Sequence, residues 1–176
     1  DPVEVRIACK DKNGKGCAKE IYSQIFSEDI GTGTIEIMDN AGVKNVCTVG
    51  VYIDNTPPDK PVLKNNYENT WTNNSYTIVA TSMDKTSGIK KFQYRFPDSA
   101  VASEKEWHDY ANSSALPMEK KDFVTTSFTK ERNEAVEIRA CDYAGNCSET
   151  TKSVIKIDKS EPYIDLALSG TRGNDN

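Results

Sequence analysis

The sequence predicts an all-β chain folded as two tandem β-sandwiches. Three observations lead there: the chain repeats itself, its apolar residues alternate with a period of two, and its strand-like runs are short and punctuated by Gly, Asn, Asp and Pro. The repeat rests on four landmarks met twice in the same order. Val3-Glu4-Val5-Arg6-Ile7-Ala8-Cys9 and the turn Asp11–Gly16 correspond to Ser75–Ser82 and the turn Asp84–Gly88. Ile35-Glu36-Ile37-Met38-Asp39-Asn40-Ala41-Gly42 matches Ile138-Arg139-Ala140-Cys141-Asp142-Tyr143-Ala144-Gly145. Val51-Tyr52-Ile53-Asp54-Asn55-Thr56-Pro57-Pro58 matches Ile155-Lys156-Ile157-Asp158-Lys159-Ser160-Glu161-Pro162.

Each copy reads as strands because alternation puts one side of a run against a core and the other in water. Val49, Val51 and Ile53 share a face, as do Ile155 and Ile157; Phe92, Tyr94 and Phe96 lie opposite Lys91, Gln93 and Arg95. The best helical candidate, Ser103–Tyr110, is too short. Residues 1–57 are expected to form the first domain, lacking its first strand, and 58–160 the second, opened by Pro61–Lys64. The tail, 161–176, is expected to supply the first strand of a further repeat, because Pro162–Gly170 alternates in the same way. Between the domains, Ile53–Pro61 carries three prolines, which restrict φ and stiffen the junction. A missing first strand leaves a sheet edge open to pairing. The expectation is a monomer with frayed ends, or strand-exchanged contacts in which one molecule's terminal strand fills another's edge.

Bulk composition narrows the function. Hydrophobic residues are 36% and charged residues 28%, enough for a modest core, and no apolar run approaches the ~20 residues of a membrane-spanning helix. The net charge of −5 weighs against nucleic acid and anionic membrane as partners. The opening Asp1-Pro2-Val3 has no basic or apolar leader character, so an exported protein would carry its targeting segment outside this sequence.

Five cysteines sit at 9, 17, 47, 141 and 147. Two close pairs suggest disulfides, Cys9–Cys17 and Cys141–Cys147, and an oxidising compartment. Cys47 lies in phase with Val49 and Val51, so Cys9–Cys47 and Cys17–Cys47 remain alternatives. Cys141 and Cys147 fall on opposite strand parities, a conflict that a bulge would resolve. Zinc is disfavoured: His108 is the only histidine and no Cys-x2-Cys pair occurs.

Asp39–Gly42 and Asp142–Gly145 share the pattern Asp-x-Ala-Gly between alternating runs, where Gly tolerates positive φ and Asp accepts backbone N–H groups; a hairpin turn is expected, with calcium ligation as the rival. Asp11–Tyr22 fails as an EF-hand loop because Lys15 and Tyr22 occupy ligand positions. The order of these landmarks, ending in Ile-Asp-x-(Thr/Ser)-x-Pro, resembles the bacterial immunoglobulin-like repeats of large surface proteins and adhesins, especially Gram-positive ones. Ser87–Tyr94 and Val136–Asn146 are most similar to that pattern. The first copy departs from it, being short and having Val43 where Asn is usual. The resemblance implies immunoglobulin-like sandwiches acting in series as a non-catalytic spacer at the bacterial cell surface, with neighbouring repeats as partners. It also implies calcium at junction aspartates, which makes Asp54 and Asp158 candidate ligands, and it allows Lys–Asn isopeptide bonds, for which no pair stands out.

Other readings are a binding module recognising host protein or glycan through the Ser99–Lys121 insertion, or an accessory domain of a secreted hydrolase. Trp71 and Trp107 are expected to pack at sheet margins, with sugar stacking as the alternative. The Asn-x-Ser sequons at Asn73, Asn112 and Asn146 are read as chance. No nucleophile motif accompanies His108, so no catalytic or cofactor-binding residue is assigned.

Overall fold

The computed structural model describes residues 2–12, 14–110 and 121–167, with backbone alone for 121–123. The tip of the Ser99–Lys121 insertion, including the Asn112 sequon, and residues 168–176 lie outside the described residues. The described chain is all-β. It contains β1 (Val3–Ala8), β2 (Ile21–Phe26), β3 (Ile30–Met38), β4 (Lys44–Ile53), β5 (Val62–Asn65), β6 (Tyr76–Met83), β7 (Ile89–Arg95), β8 (His108–Asp109), β9 (Lys121–Phe128), β10 (Arg132–Asp142) and β11 (Thr151–Ile157). A 3-10 turn, Ala102–Lys105, overlaps the start of the helical candidate Ser103–Tyr110 and is the one helical element among the described residues. No described helix is long and apolar enough to cross a membrane.

All pairings between named strands are antiparallel, and none crosses residues 54–61. Before that segment lie two-stranded sheets β1–β2 and β3–β4; after it lie β5–β6–β9 and β11–β10–β7–β8. The latter two form a sandwich around one core. Tyr76, Ile78, Ala80 and Val124 come from one sheet, and Ile89, Phe92, Val136, Ile138, Ala140, Ile155 and Ile157 from the other. Apart from Ile89, which is out of phase with Phe92 across the register shift at Cys141/Asp142, these are the in-facing positions of the alternating runs, so the period-two pattern is the main cause of the core.

The first half is much thinner. Among the described residues its buried large apolar side chains are Ile35, Val51 and Ile53, while Ile21 and Ile25 are exposed. Copy two places β7, the 3-10 turn and β8 between β6 and β9; copy one has only residues 9–20 between the matching β1 and β2. Among the described residues no strand of copy one corresponds to β7. Partial compensation comes from Phe26, whose ring fills the space a side chain at Gly33 would occupy. Tyr22 also helps: its hydroxyl donates to the Met38 carbonyl at 2.8 Å and accepts from the Met38 N–H at 3.1 Å.

In the tail, residues 161–167 form no strand, and Tyr163, Ile164 and Leu166 are 89%, 88% and 77% exposed. Trp71 is also exposed rather than packed. Trp107 is half-buried and carries the guanidinium groups of Arg95 and Arg139, 4.5 and 4.1 Å from its ring centres.

An ion-pair network crosses the outer face of the larger sheet. Buried Glu137 meets Arg95 at 2.8 Å and Lys152 at 2.9 Å. Lys152, then Arg95, holds the Glu137 carboxyl below the usual carboxylate range, against the opposing effect of burial. A depressed folded pKa means a contribution that is full above the unfolded value of ~4.3 and is lost as pH falls through the folded value. Glu137→Gln is therefore expected to lower stability near neutral pH and to flatten the acid limb of the stability curve below about pH 4. Superimposable wild-type and variant acid titrations would refute this role.

Candidate functional site

The turns that punctuate the strands are built on aspartates, and three of these meet at the junction between the halves. Asp142 Oδ1 accepts the N–H groups of Gly145 at 2.6 Å and Asn146 at 2.8 Å, and its Oδ2 accepts Asn146 Nδ2 at 2.8 Å. Asp39 does the same in copy one for the N–H groups of Ala41 and Val43. Gly145 and Gly42 have φ of 103° and 86°, a region that other residues rarely adopt. Asp84 Oδ1 accepts the N–H groups of Thr86 and Gly88, as Asp11 accepts that of Gly16. The expected structural role of the Asp-x-Ala-Gly turn is thus present in both copies.

The exits of the two copies also repeat. Asp54 Oδ1 accepts the Thr56 N–H at 3.1 Å, and Asp158 Oδ1 accepts the Ser160 N–H at 3.0 Å. A carboxylate from the preceding hairpin clamps each exit. Asp29 accepts from the Asn55 N–H and the Thr56 hydroxyl; Glu131 accepts from the Lys159 N–H and the Ser160 hydroxyl. These bonds, that from Thr56 foremost, hold the Asp29 carboxyl below its ordinary range. Neither clamp residue is visible by sequence comparison, because the duplication keeps a carboxylate at the hairpin but changes its type.

Across the junction, Ser87 N–H donates to Asp54 Oδ2 at 3.0 Å, and Asn146 Nδ2 donates to the Asp54 carbonyl at 3.1 Å. Asp54 is therefore held by copy two at both its side chain and its backbone. One carboxylate oxygen from each of Asp54, Asp84 and Asp142 lies within 4.8 Å of the others, with Asp84 and Asp142 buried and Asp54 half-buried. The neighbouring cleft, about 540 Å³, is lined by Asp29, Tyr52, Asp54, Lys85, Ser87 and Tyr143, among others.

Three negative charges this close repel one another, and no ion pair among the described residues neutralises them. Oxygens no more than 4.8 Å apart are close enough to share one ion at a calcium–oxygen distance of ~2.4 Å, and oxygen donors suit a hard divalent cation. The Ser87 hydroxyl is buried without a hydrogen-bond partner, so an unused oxygen lies on the residue that binds Asp54. The donor set fits calcium. Melting in calcium is expected several degrees above melting in EDTA, with the gap closed by Asp84→Asn; equal midpoints for the wild type would dispose of the metal.

Of the ligand candidates named from sequence, Asp54 joins this cluster and Asp158 does not, among the described residues. Asp142 joins it while still serving its turn. Asp84 is the member of the cluster that sequence reasoning missed; its signal was its place at the head of a turn closed by Gly88.

Both close cysteine pairs are bridged, Cys9–Cys17 and Cys141–Cys147, leaving Cys47 free and half-buried. The parity conflict is resolved by a one-residue step in the hairpin, between the Ile138↔Thr151 pair of the β10–β11 ladder and the Cys141↔Cys147 bridge. No protein-family model matches the chain, and no curated protein matches it.

Proposed function

We propose that the chain is a non-catalytic spacer, two immunoglobulin-like sandwich repeats (1–57 and 58–160) of an extracellular, adhesin-like bacterial surface protein. The observation that carries this reading is Asp54. The last residue of copy one's exit is gripped through side chain and backbone by two turns of copy two, as a fixed-angle joint requires. Two small hairpin disulfides support an oxidising, extracellular setting. The matching Asx turns and hairpin clamps at both exits support neighbouring repeats as partners, since Asp158 is arranged to serve a following joint as Asp54 serves this one.

Small-angle scattering of the whole chain tests the reading. The wild type should fit a narrow range of angles between its halves, and Asp54→Ala combined with Asn146→Ala should broaden it. A wild type already as broad as the double variant would sink the rigid-spacer reading. So would saturable capture of a host protein or glycan by the chain.

A further inference from the structure

The absence of a β7 counterpart in copy one has a backbone consequence. In copy two, β10 is flanked on one side by β11 and on the other by β7, which pairs with Glu137–Asp142. The matching strand β3 pairs with β4 alone, so among the described residues no strand lies along its other edge. Only the end of that edge is closed, by the Cys17–Asp39 bridge, the Ala18 N–H to Met38 carbonyl bond and the Tyr22 hydroxyl.

The Met38 bonds fix the parity. Its N–H and carbonyl point away from β4, so in a regular ladder those of Glu36, Thr34 and Thr32 do the same. All three residues are exposed. The stretch Thr32–Glu36 contains no Lys, no Pro and no bulge, the usual devices that protect an edge. Its one charge, Glu36, is neutralised by Lys44 at 2.8 Å on the far side, away from the open edge.

We infer that this edge pairs with the same edge of a second copy of the chain, β3 antiparallel to β3 about a two-fold axis through Thr34. That register places Thr34 opposite Thr34 and Thr32 opposite Glu36, so every outward N–H and carbonyl from Thr32 to Glu36 finds a partner. It separates the two Glu36 carboxylates. A register centred on Glu36 would set them face to face and would drive Thr34 of one chain against Met38 of the other, whose groups are already used. On the inner face, Ile35 of each chain falls opposite Gly33 of the other, so the pairing extends the thin core of copy one. The contact is isologous and closes at two copies.

Sedimentation equilibrium of the full chain tests this. The wild type should show a concentration-dependent monomer–dimer equilibrium. Thr34→Pro, which removes an N–H that β4 does not use, should weaken it about tenfold or more. Thr34→Lys places like charges on the axis and should act in the same direction while leaving the backbone free to fold, as circular dichroism would verify. In a Cys47→Ser background, Thr34→Cys should be cross-linked between copies by a short thiol reagent, the two Cα atoms being ~5.5 Å apart, whereas Thr48→Cys on β4 should not. A strict monomer at the highest concentration reached would overturn the inference. So would species larger than a dimer, or a dimer that persists unchanged in folded Thr34→Pro and Thr34→Lys.

Discussion

Asp142→Ala is expected to cost the second sandwich about 3 kcal/mol. The side chain is fully buried and accepts three hydrogen bonds from Gly145 and Asn146. Hydrogen bonds to a charged acceptor contribute roughly 1.5–3 kcal/mol each; half-buried Asn146 would lose both of its partners, while exposed Gly145 can turn to water. Relief of the repulsion from Asp54 and Asp84 offsets part of this loss. Asp142→Asn separates the two effects, because it keeps the Oδ1 acceptor and removes the charge; in EDTA it should be much milder than Ala. Urea unfolding followed by tryptophan fluorescence is the measurement, since Trp71 and Trp107 both lie in copy two. An Ala variant within about 0.5 kcal/mol of wild type would show that the turn does not depend on this carboxylate.

The second large effect belongs to the core. Phe92→Ala should destabilise copy two by about 3–5 kcal/mol, the range for a large aromatic removed from a packed interior. Phe92 is 0% exposed and sits in the cluster that joins the two sheets. Val51→Ala, in a half whose buried large apolar side chains among the described residues are Ile35, Val51 and Ile53, should leave the tryptophan-reported transition in place. A Phe92→Ala loss below roughly 1.5 kcal/mol, or a Val51→Ala shift equal to it, would contradict a main core that copy two builds without copy one.

How much of this was legible in the sequence depended on the kind of force involved. Alternation at Phe92, Tyr94 and Phe96, and at Val51 and Ile53, exposed the strand faces because burial acts on side-chain period. The Asp-x-Ala-Gly turns were legible because Gly and Asp have local backbone roles. The cysteine pairs were legible by proximity, but leaving Cys47 out needed the Cys9–Cys17 bridge itself, and the Cys141–Cys147 parity needed a bulge that no sequence shows. Contacts across long sequence separations were not legible. Asp84 joins Asp54 and Asp142 only after the turn that crosses from β6 in one sheet to β7 in the other is set beside the β10–β11 hairpin and the exit of β4, and Glu131 hides its kinship with Asp29 behind a change of residue type. The missing β7 counterpart was obscured because a short copy reads as a truncated one until the pairing of each strand is known.

The disulfides close loops between cysteines only eight and six residues apart in sequence. When the chain is stretched from its two ends, these staples withhold very little length, whereas every other residue can extend by ~3.5 Å as its sheet is pulled open. A filament assembled from such units would therefore yield in long steps under load and then re-form around turns that its covalent loops had kept near their native shape.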